Sequence, residues 1–206
     1  MNEFLQAMRF RHACKKFDAS KKIAKEDFDA ILESGRLTPS SFGLEPTRLL
    51  VVRDEKMRER VRKACWDQAQ ITDSSEIVIY VSKIADMQAT SNYVAQSFSR
   101  KLGKDIAQLS AYQERFGGFL RANGYVDANS IFAWSSRQAY LMASSMMDCA
   151  AFMGIDSCAI EGFDRDMLES CLGLDTFAER VAFGYRVADP AQKAPRISID
   201  ELVRYI

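Results

Sequence analysis

The stretch from Ser130 to Met153, SIFAWSSRQAYLMASSMMDCAAFM, constrains this chain more than any other, and Gly154 follows it directly. Its apolar positions nearly encircle a helix instead of forming one stripe, as expected of a helix buried in the core or in a subunit interface. Gly154 stands in the usual C-terminal cap position, where a left-handed residue ends many helices. Arg137, Gln138 and Asp148 interrupt the apolar run and argue against a membrane span.

Shorter elements surround that helix in the sequence. Asn2 can cap a first helix with Phe4, Leu5 and Met8 on one side. A second helix is expected from about Lys25 to Leu37, with Phe28, Ile31 and Leu32 on one face and Pro39 ending it. The loop PSSFGLEP follows between two prolines. LLVVR, Leu49 to Arg53, reads as a buried strand, and Asp54 then caps a helix carrying Met57, Val61 and Ala64. EIVIYVS, Glu76 to Ser82, is the clearest strand. Ala85 to about Ala122 reads as a more polar helical region with breaks at Gly103 and at Gly117-Gly118. Beyond the long helix come a strand at Ser157 to Ile160, the loop EGFD, a helix from Arg165 to Leu172 capped by Asp164, and a strand at Arg180 to Val187. The tail from Asp189 to Ile206 holds two prolines and the cations Lys193 and Arg196, then ends on an apolar run. Few strands separated by long crossovers predict an α+β fold with a modest sheet.

At 206 residues, 48% hydrophobic and 27% charged, the chain fits a single soluble globular domain. Twenty-eight cations balance twenty-eight anions, so no global field draws the chain to nucleic acid or to a membrane. The N-terminus lacks the basic start and apolar core of a signal peptide. Five cysteines without a CxxC pair fit reduced thiols in a cytoplasmic protein. His12 is the one histidine, so no zinc site of the usual spacing is expected. The motifs GxGxxG after a strand, GxxxxGKS/T, GxSxG and HExxH are all absent. His12 stands among Arg11, Lys15 and Lys16, cations that depress its proton affinity and suit it poorly to be a general base.

Four polar clusters remain. RHACK offers Arg11, His12 and Lys15 on a chain leaving a helix, and arginine suits phosphate through its planar fork of donors. PSS gives two hydroxyls in a loop. IEGFD places Gly162 where a backbone N–H can approach a flat ligand closely. QKAPR adds a second basic pair, Lys193 and Arg196. Each cluster alone also fits solvated charge or a simple turn. Two basic clusters at opposite ends of a neutral chain point to one anionic ligand.

In this order and spacing, RHACKKFD, RLTPSSFGLEP, DQAQITDSSEIVIY, MGIDSCAIEGFD and the QKAPR tail resemble the FMN-dependent nitroreductase family, particularly its oxygen-insensitive NAD(P)H branch. The resemblance implies a mixed sheet flanked by helices, in a homodimer with FMN at the subunit interface. The C-terminal run Ile197 to Ile206 would be exchanged and pair with the other subunit's sheet. It further implies that Arg11, Lys193 and Arg196 hold the FMN phosphate with His12 and Ala13 nearby, and that Ser40, Ser41 and Gly43 come from a partner loop. Asp67 and Gln70 would face the pyrimidine edge, and Glu161 and Gly162 would offer N–H groups near N5. Lys15 would stabilise negative charge that develops on reduction. The activity implied is ping-pong hydride transfer from NAD(P)H to nitroaromatics, quinones or similar electron-poor acceptors. Dehalogenation, enoate reduction, or flavin binding without turnover stand beside it. The region from about Asn92 to Asn129 would cover the active site, with Phe116 and Phe119 as pocket residues. The chain departs from the family's usual pattern at Ala13, Gly43, Glu45, Thr47, Asp67 and Gln70.

Overall fold

The β-branched runs assemble one sheet and the amphipathic segments cover its two faces. A computed structural model describes residues 2–173 and 178–203. In chain order the elements are α1 (Glu3–Phe10), α2 (Lys25–Arg36), β1 (Thr47–Val51), α3 (Glu55–Ala64), α4 (Gln70–Asp73), β2 (Glu76–Ser82), α5 (Asn92–Leu102), α6 (Ser110–Ala122), α7 (Ala128–Phe152), β3 (Asp156–Ile160), α8 (Arg165–Leu172), β4 (Ala178–Gly184) and α9 (Ile199–Leu202). The class is the expected α+β.

The four strands pair antiparallel in the order β1-β2-β4-β3. Of the expected mixed sheet, the parallel component among the described residues is a single bridge, Ala13 to Ser157, where the chain leaving α1 meets the edge of β3. β1 starts at Thr47 rather than Leu49 because β2 extends far enough to pair Ser82 with it. β4 stops at Gly184 rather than Val187. Beyond it, the Arg186 N–H turns to the Asp156 carboxylate at 2.9 Å.

Strand alternation sorts the core about the sheet into two clusters, and a third lies under α5 and α6. Ile77 and Ile79 of β2 point to one face, with Val61, Ile71, Cys158 and Ile160. Val78 and Tyr80 point to the other, with Phe28, Ile31, Ala139 and Met146. α7 spans that second face and contacts α1, α2 and all four strands. Asp127 and Ser130 cap its start reciprocally, and Gly154 follows it at φ 73°. Its apolar wrap is nevertheless incomplete, because Tyr140, Leu141 and Phe152 remain exposed.

The region between β2 and α7 breaks at Gly103, as expected, where the left-handed φ of 62° caps α5. Gly117 and Gly118 do not break α6, which runs through both. A Cβ on Gly117 would meet Arg121 Nη1 at 3.2 Å and the Ala89 methyl at 3.3 Å, so this glycine serves close packing instead of a turn. In the C-terminal run expected to pair with the other subunit's sheet, Ser198 caps the short α9 of the single chain, accepting from the Glu201 N–H at 3.1 Å. Residues 204–206 of that run lie outside the described residues. Among the described residues, no helix is long and apolar enough to cross a membrane.

Candidate active site

RHACKKFD is held between two neighbours. On one side, the Cys14 N–H donates to Ser157 O of β3 at 3.1 Å. On the other, the Val187 N–H donates to Lys16 O at 3.1 Å and the Asp18 N–H to Tyr185 O at 2.8 Å. Cys14 and Phe17 point into the core, which leaves Ala13, Lys15 and Lys16 exposed. A cavity of about 810 Å³ opens above this segment, and Arg11, His12, Ala13, Lys15, Lys193 and Arg196 all line it. Folding thus joins the two basic clusters from opposite ends of the chain.

Asp156 anchors the floor. It is 3% exposed, and Arg186 donates to it from Nε at 2.8 Å and lies within 2.6 Å through Nη2. The same guanidinium covers the Phe10 ring at 4.2 Å and donates to Asp189 at 2.8 Å. Lys193 Nζ donates to the carbonyls of Arg9 and Phe10, the latter at 2.7 Å, which puts a cation at the negative end of α1. Arg11 Nε stands 3.6 Å from Asp148 Oδ1 and is buried without a hydrogen-bond partner.

His12 Nδ1 is likewise buried and unpartnered, 3.6 Å from Asp156 Oδ1. Burial and then Arg186 hold the imidazole below its ordinary pKa, with Asp156 pulling the other way. The lowered proton affinity has the direction expected from the sequence, but its causes are burial and the distant Arg186 and Lys193, not the adjacent Arg11, Lys15 and Lys16. Burial, followed by Asp156, pushes the Cys14 thiol up to about 11. The donor atoms of His12, Cys14 and Asp156 lie within 4.8 Å of one another. Because Asp156 is committed to Arg186 and the thiol stays protonated, the trio is an anchor more than a cation site.

β3 leads directly from this floor to Glu161 and Gly162. Glu161 accepts from the Tyr140 hydroxyl at 2.7 Å, and the Gly162 carbonyl accepts from Gln68 Nε2 at 2.9 Å. The Asp164 N–H donates to Ala64 O at 2.7 Å, so the loop is tied to the turn that carries Asp67. A Cβ on Gly162 would sit 2.6 Å from the Trp66 ring. Trp66 and Asp67 adopt left-handed φ values of 53° and 56°, a strained pair of a kind that clusters at functional sites. Trp66 is 70% exposed. Its signal in the sequence was a large aromatic in the polar turn WDQ. The Asp67 carboxylate reaches Arg62 at 3.4 Å, and Gln70 is buried at the start of α4.

The nitroreductase family model matches residues 8–188, which takes in RHACKKFD, β3, the Trp66 turn and the Gly162 loop and stops before Lys193 and Arg196. The chain belongs to the nitroreductase family. A Staphylococcus aureus protein provisionally named an NAD(P)H nitroreductase is 37% identical over 218 residues, covering 100% of this chain and 97% of its own. The fold is shared with a nitroreductase-like protein of Streptococcus mutans, with TM-score 0.85 and 19% identity over 100% of this chain and 99% of that one. It is also shared with a provisionally named nitroreductase of Exiguobacterium sibiricum solved with FMN, with TM-score 0.77 and 20% identity over 100% of this chain and 98% of that one.

In this nitroreductase-family chain, the proline-flanked loop lies apart from the cavity of Arg11 and Lys15. The Ser41 N–H donates to Gln138 Oε1 of α7 at 2.9 Å, and Ser40 Oγ accepts from the Glu45 N–H at 2.9 Å. Gly43 has φ 62°, with Lys101 packed where a Cβ would stand. Glu45, a departure from the family pattern, pairs with Arg100 at 2.8 Å and itself has φ 49°. Thr47 opens β1 with its hydroxyl buried and unpartnered. Phe116 is fully buried and Phe119 half-buried, with their rings 5.2 and 5.0 Å from that of Phe42. Phe116 belongs to the core beneath the loop, and Phe42 is the ring of the three that lines a hollow of about 380 Å³ beside Lys101.

Proposed function

We propose that this protein is an FMN-dependent NAD(P)H oxidoreductase, a homodimer that reduces nitroaromatics, quinones or similar electron-poor acceptors in a ping-pong reaction at one site. The observation that carries the reading is the cavity of about 810 Å³ into which both basic clusters converge. Its donor set suits a phosphate-bearing group. Arg11 and His12 keep buried nitrogens without partners, and Lys193 and Arg196 add charge from the tail. The name of the Staphylococcus relative and the FMN bound to the Exiguobacterium protein support the same cofactor and reductant.

FMN, when bound, supplies the two-electron hydride chemistry. The chain's part is to bind, orient and tune. Arg11, Lys193 and Arg196 address the phosphate, with His12 and Ala13 beside them. Lys15 brings a cation to the edge of β3, where it stabilises charge that appears only on reduction. Glu161 and Gly162 offer backbone N–H groups at the end of the same strand, and Asp67 and Gln70 provide the polar edge of the next turn. Ser40, Ser41 and Gly43 act in the site of a second copy, which accounts for their separation from the cavity in one chain. The α5–α6 region, with Phe42 and Phe119 at its base, covers the acceptor side. Exposed Phe4 and Leu5 on α1 and Tyr140, Leu141 and Phe152 on α7 supply apolar surface for the dimer.

Purified protein is expected to be yellow or to take up added FMN. Anaerobic addition of NADH or NADPH should then bleach its visible absorbance, and a nitro or quinone acceptor should restore it. Colourless protein that ignores FMN overturns the reading. Yellow protein that neither nucleotide bleaches is a flavin binder and not an oxidoreductase.

A further inference from the structure

Lys15 carries the electrostatic role proposed above, yet its partner among the described residues is a thiol and not a carboxylate. Its Nζ lies 3.6 Å from Cys158 Sγ. The neighbouring guanidiniums differ in this respect. Arg11 faces Asp148, and Arg186 is shared by Asp156 and Asp189. Each of those charges is at least partly neutralised by a fixed anion, whereas the charge on Lys15 is not.

Cys158 is well placed to hold an ammonium. It is 1% exposed in the middle of β3, packed with Cys14, Ile160 and Ala182, so its sulfur is fixed by the core. Lys15 sits on an exposed segment, and a free lysine there samples many rotamers worth about 2 kcal/mol of entropy. Burial pushes the Cys158 thiol up against the opposing pull of Lys15, so the sulfur stays neutral. A carboxylate at the same place would fix the ammonium more firmly but cancel the charge that makes it useful.

We infer that Cys158 is a positioning residue for Lys15: its thiol holds the ammonium against the edge of β3 without cancelling its charge. The inference rests on the reading of Lys15 as the residue that stabilises the reduced cofactor. It adds a partner that acts through Lys15 and touches neither cofactor nor substrate.

The test is the midpoint potential of the FMN-loaded protein across a double-mutant cycle. Lys15→Ala is expected to shift the reduction equilibrium about tenfold towards oxidised cofactor, about 30 mV for a two-electron couple. Cys158→Ala is expected to shift it about threefold, about 15 mV, in the same direction. In the Lys15→Ala background it should add nothing. Cys158→Ser, a near-isostere with a polar acceptor, should restore most of the wild-type potential and reads the contact even if alanine disturbs β3. A wild-type potential in Cys158→Ala, or an equal drop when Lys15 is absent, overturns the positioning role. An unchanged potential in Lys15→Ala overturns the reading of Lys15 itself, and this inference with it.

Discussion

His12 buries its imidazole where Arg186 and Lys193 already place positive charge, so protonating it in the folded chain is unfavourable. Its pKa lies below the usual 6.5, with burial the first cause and Arg186 the second. Between the folded pKa and 6.5, the unfolded chain therefore binds the proton more readily than the folded one. Stability must rise with pH across that window and be lost as pH falls through it. The melting temperature is expected to drop between about pH 7 and pH 5 more steeply in the wild type than in His12→Gln. Parallel curves in a pH series of thermal melts would refute the assignment of this sensitivity to His12. The direction of the His12 shift agrees with the sequence reading, but its causes are burial, Arg186 and Lys193 and not the neighbouring Arg11, Lys15 and Lys16. Those surroundings were not legible, because Asp156 and Arg186 sit thirty residues apart and meet only when β3 and β4 pair. Cys158 was equally invisible, since nothing about a cysteine in a strand says that a lysine from the other end of the chain will rest on it.

Helix α3 shows how an element can conceal a structural residue inside an ordinary amphipathic pattern. Asp54 caps it, accepting from the Met57 N–H at 2.7 Å, and Val61 and Ala64 point inward as their spacing predicts. Arg58 looks like a solvated charge in that pattern, yet it is 8% exposed. Its guanidinium donates to Val52 O at 2.9 Å and to Ser74 O and Ser75 O, each at 2.7 Å. One side chain thus closes the polar backbone at the end of β1 and the start of β2. Arg58→Ala leaves those carbonyls without a donor in a buried place, and the expected loss is about 2–4 kcal/mol. Urea unfolding measures it, and a midpoint within error of the wild type would refute the assignment. The same limit explains the elements that differ from the sequence reading. Gly117 has the composition of a break, but the approach of Ala89 that requires it is a tertiary fact. The end of β4 depends on where Arg186 finds its carboxylate, which strand propensity cannot report.

At the scale of the whole molecule, the sequence pattern of α7 predicted a helix buried in the core or in a subunit interface. Within one chain the sheet, α1 and α2 cover most of its apolar wrap. The rest is open: Leu141 is 51% exposed, Phe152 56%, and on the adjoining α1 Phe4 is 54% and Leu5 49%. The proposed site is divided in the same way. Arg11, Lys15, Lys193 and Arg196 meet in one cavity, while Ser40 and Ser41 sit on a separate loop bonded to Gln138 of α7. In the homodimer proposed above, a second copy packed on α7 brings the serine loop to the cavity. Oligomerisation and cofactor retention should therefore be a single property. Leu141→Asp tests this without touching Tyr140, which holds Glu161. A carboxylate buried unpaired at an apolar interface costs about 3 kcal/mol or more, which weakens a dimer about hundredfold. On the dimer reading, the wild type is expected to sediment as a dimer and the variant as a monomer at the same concentration, with an unchanged far-UV spectrum. It should also release FMN, seen as a rise in free-flavin fluorescence, and regain it when concentrated. A monomer that keeps FMN with wild-type affinity would show that the cavity above RHACKKFD is sufficient, and that the serine loop serves only its own chain.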